Sequence, residues 1–141
     1  MKAKVSDKML LKMCGDVAKA RANFKCEYPN CSINGKQLHP HHYYSKRNAN
    51  TRYDPDNIIV LCAYHHTLGN EAAHHDPNFK DVIISNFIRT NEWHWDMTEK
   101  KNKIVKNNQE FKEAWKERLK VLLDIYKRKV YELENRGRVG D

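Results

Sequence analysis

The sequence lacks the features that would assign it to a membrane, secreted or repetitive class of protein. No apolar run in its 141 residues approaches the roughly 20 residues needed to span a bilayer. The N-terminal segment has neither a sustained apolar core nor a small-residue cleavage site, so no signal peptide is predicted. There is also no internal repeat and no low-complexity segment. We therefore expect one domain in the cytoplasm, with no membrane partner.

Cysteine is scarce, and its four copies are unevenly placed. In a cytoplasmic chain, cysteines indicate a metal site or free thiols before they indicate disulfides. Cys14 follows Met13 on an amphipathic segment far from the other three, so we expect it to be a buried apolar side chain. Cys26 and Cys31 flank one turn, whereas Cys62 lies beside a second turn.

The two turns together supply four ligands of the types that zinc prefers. The spacing is Cys26-x4-Cys31 followed by Cys62-x2-His65, a Cys3His set with the ligand number of a structural zinc site. A bound zinc would contribute much of the folding free energy of a domain with a modest core. The alternative is that the cysteines are free thiols and His65 is an ordinary helix residue.

Positive charge is in excess, with a formal net charge of +8, and it is concentrated at both ends of the chain. Residues 1–25 carry a net +5 and residues 100–141 a net +6, whereas residues 26–99 carry a net −3 and hold all eight histidines. Basic flanks favour a polyanionic partner, most simply DNA. A generic basic surface would have the same composition.

Hydrophobic spacing predicts helices at the two ends and strands in the middle. Helices are expected over residues 3–22 and from about Asn108 to Asn135, where Gly137 should end the second helix. A strand should begin within residues 38–44.

The middle of the chain contains further predicted elements. The β-branched run 58–61 favours a second strand, and a helix should follow it from Cys62 to Glu71. Asp76 or Asn78 should cap another helix, whose apolar face includes Phe87. Residues 90–107 give no clear prediction.

The stretch LHPHHYYSKRN, residues 38–48, contains three histidines within four residues. Its pair His41-His42 is followed by Asn57 and, nine residues later, by His66. This pattern, embedded in NIIVLCAYHH, resembles the HNH endonuclease family, also described as ββα-metal nucleases. The family commonly reads Asn, an aliphatic run and C-x-x-C-H, and here His65 stands in place of the second cysteine. The resemblance covers about residues 24–79, and the wider pattern also looks like small nucleases found among phage genes.

The resemblance implies an α+β fold with a small ββα-metal (HNH) core stapled by a structural zinc. The core would occupy residues 26–79 of a single domain over residues 1–141. An N-terminal helix in residues 1–25 and a helical extension in residues 80–141 would flank it. The first strand would end at the His41-His42 pair, and the helix after the second strand would carry His66.

The resemblance also implies a role for each matching residue. His41 and His66 would bind a divalent catalytic metal, and His42 would be the general base. Asn57 would fix the connecting loop through side-chain hydrogen bonds and so orient the base. An imidazole can take a proton at neutral pH, and a divalent cation can neutralise a phosphoryl group. Two imidazoles favour Zn, Ni or Mn, whereas Mg needs phosphate oxygens as well, so the metal stays open.

Alternatives remain for these residues. The pair His41-His42 could instead be a second structural metal site or a surface pair, and a shift of one position would exchange the two roles. Asn57 alone could be a turn residue.

His74 precedes Pro77 by three residues, as in the phage-type pattern, and would be a third metal ligand or a phosphate contact. Three basic residues of the loop are expected to hold DNA phosphates unless they are merely solvated: Lys46, Arg47 and Arg52.

The predicted function is metal-dependent hydrolysis of DNA phosphodiester bonds in phage or mobile-element DNA processing, in the cytoplasm of the host cell. One alternative is a non-catalytic, zinc-dependent DNA-binding module. Another is a recombination nuclease specific for branched DNA. The sequence leaves open whether the chain is a monomer or a homodimer, and it assigns no role to His39.

Overall fold

Five helices and two strands form the part of the chain that the computed structural model describes, which is residues 3–31, 37–68, 72–74 and 76–139. They are α1 (Asp7–Arg21), β1 (Leu38–His42), α2 (Ala49–Arg52), β2 (Ile58–Cys62), α3 (Phe79–Ser85), α4 (Asn91–Asn102) and α5 (Gln109–Val139). A 3₁₀ turn, Pro55–Asn57, precedes β2, and a π-helical turn, Tyr64–Leu68, follows it. Helices combined with a small two-stranded antiparallel sheet are compatible with the predicted α+β class.

The antiparallel pairing of β1 with β2 determines which histidines share a face. His39 lies opposite Leu61, and His41 lies opposite Ile59. Residues two apart on a strand point to the same side of the sheet. His39 and His41 therefore share the side on which Ile59 and Leu61 pack against α3 and α4.

Apolar clusters cover both sides of the sheet. Ile58 and Val60 pack against α1 and α5, in a cluster that also contains Leu10, Val17, Trp115 and Leu119. On the other side, α3 and α4 contribute Phe79, Ile83 and Met97. All five residues of β2 are buried, as expected for a strand covered on both faces. The sheet thus separates two layers of helices.

Helix α1 approaches β1 closely at Gly15. A β-carbon at this position would lie 3.4 Å from Cγ of Pro40. The absence of a side chain therefore lets the helix lie directly against the strand that carries the histidines. The neighbouring Cys14 is 1% exposed, which confirms the prediction of a buried thiol, and burial raises its pKa well above the usual range.

Helix α5 is longer than predicted. Its first turn follows Asn108, whose Oδ1 accepts a hydrogen bond from the Phe111 N–H at 2.9 Å. The helix continues to Val139, so the assignment of Gly137 as its end was wrong. A glycine inside a helix costs about 1 kcal/mol relative to alanine, but it ends the helix only where the backbone turns left-handed.

A π-helical turn occupies the place of the α-helix predicted from Cys62 to Glu71. The turn spans Tyr64–Leu68, and residues 69–71 lie outside the described part of the chain. The N–H groups of Ala73 and His74 donate to the carbonyls of His65 and His66, at 2.8 and 3.1 Å. Residues 72–74 therefore fold back onto the turn.

Helix α3 begins after Asn78, whose N–H donates to Oδ1 of Asp76 at 2.8 Å. It ends at Ser85, one turn earlier than the apolar pattern suggested. Phe87 follows with a left-handed φ of 58° and is 90% exposed, so its assignment to the apolar face was wrong.

Helix α4 fills a segment for which the sequence gives no clear prediction. Thr90 caps it by accepting a hydrogen bond from the Trp93 N–H at 3.1 Å. Met97 is buried and Trp93 packs against the same cluster, whereas Trp95 is 64% exposed. Two apolar positions one turn apart make too short a periodic pattern to indicate a helix.

An ion pair occupies the edge of β2 that β1 leaves open. The N–H of Glu27 donates to the carbonyl of Val60 at 2.8 Å, and its Oε2 accepts from the Val60 N–H at 2.7 Å. Arg89 donates to both carboxylate oxygens of Glu27, at 2.7 and 3.2 Å, and to the Ile58 carbonyl at 3.2 Å. The pair therefore provides partners for the backbone groups of Val60, and it shares the Ile58 carbonyl with Arg21, which donates to it at 3.2 Å.

We expect Glu27→Ala to lower the free energy of unfolding by about 3 kcal/mol, because it leaves the Arg89 guanidinium mostly buried without its carboxylate. Urea denaturation measures this loss. Lys12→Ala is the control, since it removes an exposed pair with Asp16 and should cost less than about 0.5 kcal/mol. Equal stability of the two variants would contradict the role of Glu27.

Candidate metal centres

Three thiols and one imidazole converge in what we call the cysteine cluster: Cys26, Cys31, Cys62 and His65. Nδ1 of His65 lies 3.6 Å from Sγ of Cys26 and 3.3 Å from Sγ of Cys62, and the sulfurs of Cys31 and Cys62 are 3.9 Å apart. Tetrahedral zinc predicts about 3.8 Å between two sulfurs and about 3.6 Å between sulfur and nitrogen. The cluster is therefore positioned to bind a metal such as zinc.

Separate parts of the chain bring these four ligands together. Cys62 is the last residue of β2, and His65 belongs to the π-helical turn. Cys26 and Cys31 lie between α1 and β1. The ring of Tyr28 stacks on His65 with centroids 4.0 Å apart and planes 4° apart, which holds the imidazole plane. Burial raises the pKa of the Cys26 thiol to about 12, so metal binding is coupled to removal of its proton.

A second group, the histidine cluster, consists of His41, His66 and His74. Each residue offers one ring nitrogen, and the three nitrogens lie within 4.8 Å of one another. The Nε2 atoms of His66 and His74 are 2.8 Å apart. Two imidazole nitrogens on one ion are expected about 2.8 to 3.4 Å apart, from right-angled to tetrahedral geometry, so the observed spacing lies at the short end of that range.

The imidazoles of His41 and His66 are suited to metal binding because they are neutral. Burial, together with nearby His66 and His74, lowers the pKa of His41 to about 3. Burial, together with His74 and His39, lowers the pKa of His66 to about 4. A neutral imidazole keeps the lone pair that a metal ligand donates.

Two consecutive residues of the π-helical turn belong to different clusters. His65 belongs to the cysteine cluster and His66 to the histidine cluster. His41 comes from β1, and His74 comes from the segment that folds back onto the turn. The two clusters are therefore joined through a single peptide bond.

His42 ends β1 and has one ring nitrogen fixed. Its Nε2 lies 3.1 Å from the carbonyl oxygen of Arg52. Because a carbonyl only accepts hydrogen bonds, Nε2 carries the proton and Nδ1 keeps a free lone pair. Burial lowers the pKa of His42, although the bond to Arg52 acts in the opposite direction. The result is a neutral imidazole with one nitrogen available as a base.

The side chain of Asn57 is fully buried and joins both sides of the loop after β1. Its Oδ1 accepts from the Tyr44 N–H at 2.8 Å, and its Nδ2 donates to the Tyr44 carbonyl at 2.9 Å and the Thr51 carbonyl at 3.3 Å. Tyr44 follows His42 by two residues, and Thr51 precedes Arg52. Asn57 therefore fixes the backbone two residues after His42 and one residue before Arg52, whose carbonyl is bonded to His42.

An open cleft of about 770 Å³ brings the histidine cluster and His42 together. Lys46 and Lys80 also line this cleft, so it presents positive charge beside the imidazoles. The Nζ of Lys80 lies over the rings of Tyr43 and Tyr44, 5.0 and 4.8 Å from their centroids. Such a cleft suits an extended anionic ligand.

The three basic loop residues have different surroundings. Lys46 lines the cleft, and Arg47 is exposed in the same turn. Nε and Nη2 of Arg52 each donate to one carboxylate oxygen of Asp7, both at 2.6 Å, and Nη1 donates to the Lys46 carbonyl at 2.6 Å. Arg52 thus attaches the loop to the start of α1.

Sequence reasoning gave no role to His39 or Lys80, and it did not consider the contacts of His94. Nδ1 of His39 lies 3.0 Å from Nδ1 of His66. Nδ1 of His94 lies 2.5 Å from the hydroxyl of Tyr43. The available signal for His39 was its spacing of two residues from His41, which places both on one side of a strand.

Comparisons with protein-family models, with curated proteins and with solved structures found no match. Within the described part of the chain, no helix combines the length and apolar character needed to cross a membrane. Functional inference therefore depends on the geometry of the two clusters and of His42.

The purified chain is expected to contain about one tightly bound zinc per molecule. Cys26→Ser should lose this zinc and much of the stability, because three ligands bind the ion less tightly than four. Elemental analysis and thermal unfolding measure the two effects. Cys14→Ala, which removes a thiol outside the cluster, should retain the zinc. A Cys26→Ser variant with full zinc content would contradict this assignment.

Proposed function

We propose that the chain is a metal-dependent endonuclease of the HNH type, which hydrolyses DNA phosphodiester bonds. Its ββα-metal core would consist of β1, β2 and the π-helical turn, with zinc in the cysteine cluster as the staple. The observation that carries the proposal is the position of His42. His42 lines the same cleft as three imidazoles that can share a metal, and the bond of its Nε2 to the Arg52 carbonyl leaves Nδ1 available.

In this proposal the chain divides the chemistry between neighbouring residues. His41 and His66, with His74 as a third ligand, would hold a divalent metal that neutralises charge on the phosphoryl group. His42 would accept the proton of the attacking water at Nδ1. Its Nε2–H would stay on the Arg52 carbonyl, which keeps the imidazole plane fixed during proton transfer. Asn57 would act as a positioning residue.

Charge supports DNA as the substrate. Residues 1–25 and 100–141 carry a net +5 and +6, and Lys46 and Lys80 line the cleft itself. Lysines at such places attract phosphates without regard to base sequence. Arg47 would contribute beside the cleft, whereas Arg52 would act mainly through its ion pair with Asp7.

The ligand types favour a transition metal over magnesium in the histidine cluster. Imidazole suits zinc and nickel, whereas magnesium prefers oxygen ligands. Asp76 lines the cleft, but the group of donor atoms within 4.8 Å of one another contains His41, His66 and His74 and not Asp76. Magnesium would therefore need phosphate oxygens from the substrate to complete its coordination.

We expect His42→Ala to slow nicking of supercoiled plasmid DNA by at least about 100-fold, because it removes the general base. DNA affinity and zinc content should not change. His94→Gln is the matched control, since His94 does not line the cleft and glutamine can also bond to Tyr43. Gel assays of nicking and binding across divalent metals provide the measurement.

Each outcome of that assay favours one reading. A His42→Ala variant that nicks as fast as wild type would refute the role of His42. A wild-type chain that binds DNA and yet leaves linear, supercoiled and branched DNA uncut with every divalent metal tested would favour a zinc-dependent binding module. Cutting confined to branched DNA would indicate a recombination nuclease.

The chain with its cysteine cluster filled by zinc should bind one further nickel or zinc ion in the absence of DNA. Magnesium should bind far more weakly under the same conditions, because the available ligands are imidazoles. His41→Ala should abolish the second binding event, and His94→Gln should preserve it. Calorimetric titration measures both affinities, and tight magnesium binding without DNA would contradict the assigned ligand set.

A further inference from the structure

The ring of His66 lies between two other imidazoles. Its Nε2 is 2.8 Å from Nε2 of His74, whereas its Nδ1 is 3.0 Å from Nδ1 of His39. The ring planes of His39 and His66 cross at 76°, with centroids 5.1 Å apart. One nitrogen of His66 therefore faces the histidine cluster, and the other faces His39.

These contacts determine which nitrogen of His66 can carry the proton. A metal ligand must present a lone pair, so Nε2 must be unprotonated for His66 to bind a metal beside His74. A neutral imidazole then carries its proton on Nδ1. Nδ1 of His39 is the atom within reach to accept that proton in a hydrogen bond.

We infer that His39 is a positioning residue, which accepts a hydrogen bond from His66 and so fixes the tautomer and ring plane needed for metal binding. The inference rests on the proposed metal site in the histidine cluster. Nδ1 of His39 must then be unprotonated, with the proton of the neutral ring on Nε2. Partners of this kind commonly change metal affinity by 10- to 100-fold.

Strand β1 is suited to this arrangement because its pairing with β2 fixes the side of the sheet to which each of its side chains points. His39 lies opposite Leu61 in the ladder, two residues before His41 and on the same side of the sheet. One strand thus provides a ligand, His41, and the support for a second ligand, His66. The support is half-buried, which shields its hydrogen bond from competing water.

A direct metal-binding role for His39 fits less well. Within the described residues, the histidine group whose donor nitrogens all lie within 4.8 Å of one another contains His41, His66 and His74. His39 contacts the opposite nitrogen of His66, on the far side of its ring from His74. His39 therefore lies outside the ligand set and contacts one ligand, His66, at the nitrogen that does not face His74.

The test uses the full-length chain, with the cysteine cluster filled by zinc and no DNA present. We expect His39→Ala to weaken binding of cobalt(II) to the second site by about 10- to 100-fold, with one ion still bound at saturation. The visible absorption spectrum of the bound cobalt should keep its shape, since no ligand is lost. His39→Gln, whose amide oxygen can accept the same hydrogen bond, should recover most of the affinity.

Three results would overturn the inference. They are an unchanged cobalt affinity in His39→Ala, an altered cobalt spectrum that indicates loss of a ligand, and a failure of His39→Gln to recover affinity. Zinc content and circular dichroism of each variant identify misfolding, and His94→Gln is the matched histidine control. A chain that shows the expected cobalt pattern but cuts no DNA would refute the nuclease proposal and still support the role of His39.

Discussion

The convergence of three thiols and one imidazole is the constraint on which the rest of this structure depends. Cys26 and Cys31 come from the segment after α1, Cys62 from the end of β2, and His65 from the π-helical turn. Protonated thiols attract one another only weakly, so a shared cation is the natural reason for such close approach. Because His66 follows His65 directly, the arrangement of the cysteine cluster also determines the position of His66 in the histidine cluster.

Hydrogen bonds of polar side chains connect the segments that form the clusters and the cleft. Asn57 joins the two sides of the loop after β1, and Arg52 attaches that loop to Asp7 at the start of α1. Glu27 and Arg89 form hydrogen bonds with the Val60 N–H and the Ile58 carbonyl at the edge of β2 that β1 leaves open. A buried polar group that loses its partner destabilises the fold, so the bonds of Asn57 and of the Glu27–Arg89 pair favour this arrangement. That arrangement keeps His42 and the histidine cluster together in one cleft.

Local spacing in the sequence predicted the features that depend on near neighbours. It indicated the four ligands of the cysteine cluster, both strands, and the helices now seen as α1 and α5. It did not indicate α4, the π-helical turn or the role of His39, because each depends on contacts with distant segments. His39 meets His66 across 27 positions of the chain, and Arg52 meets Asp7 across 45. No local pattern specifies such pairs, and Gly137 and Phe87 show that glycine and apolar spacing alone mislabel helix ends.

The packing of α1 against α5 has a consequence for the order in which the protein matures. During synthesis α1 leaves the ribosome before α5, which carries its partners Trp115 and Leu119. The side chain of Gln109 also bonds to both backbone groups of Val5. The part of α1 that packs against α5 therefore stays uncovered until α5 has been made, whereas its contacts with β1 and β2 can form earlier. The two metal-ligand clusters, which lie between these helices in sequence, can gather their ligands before that layer closes.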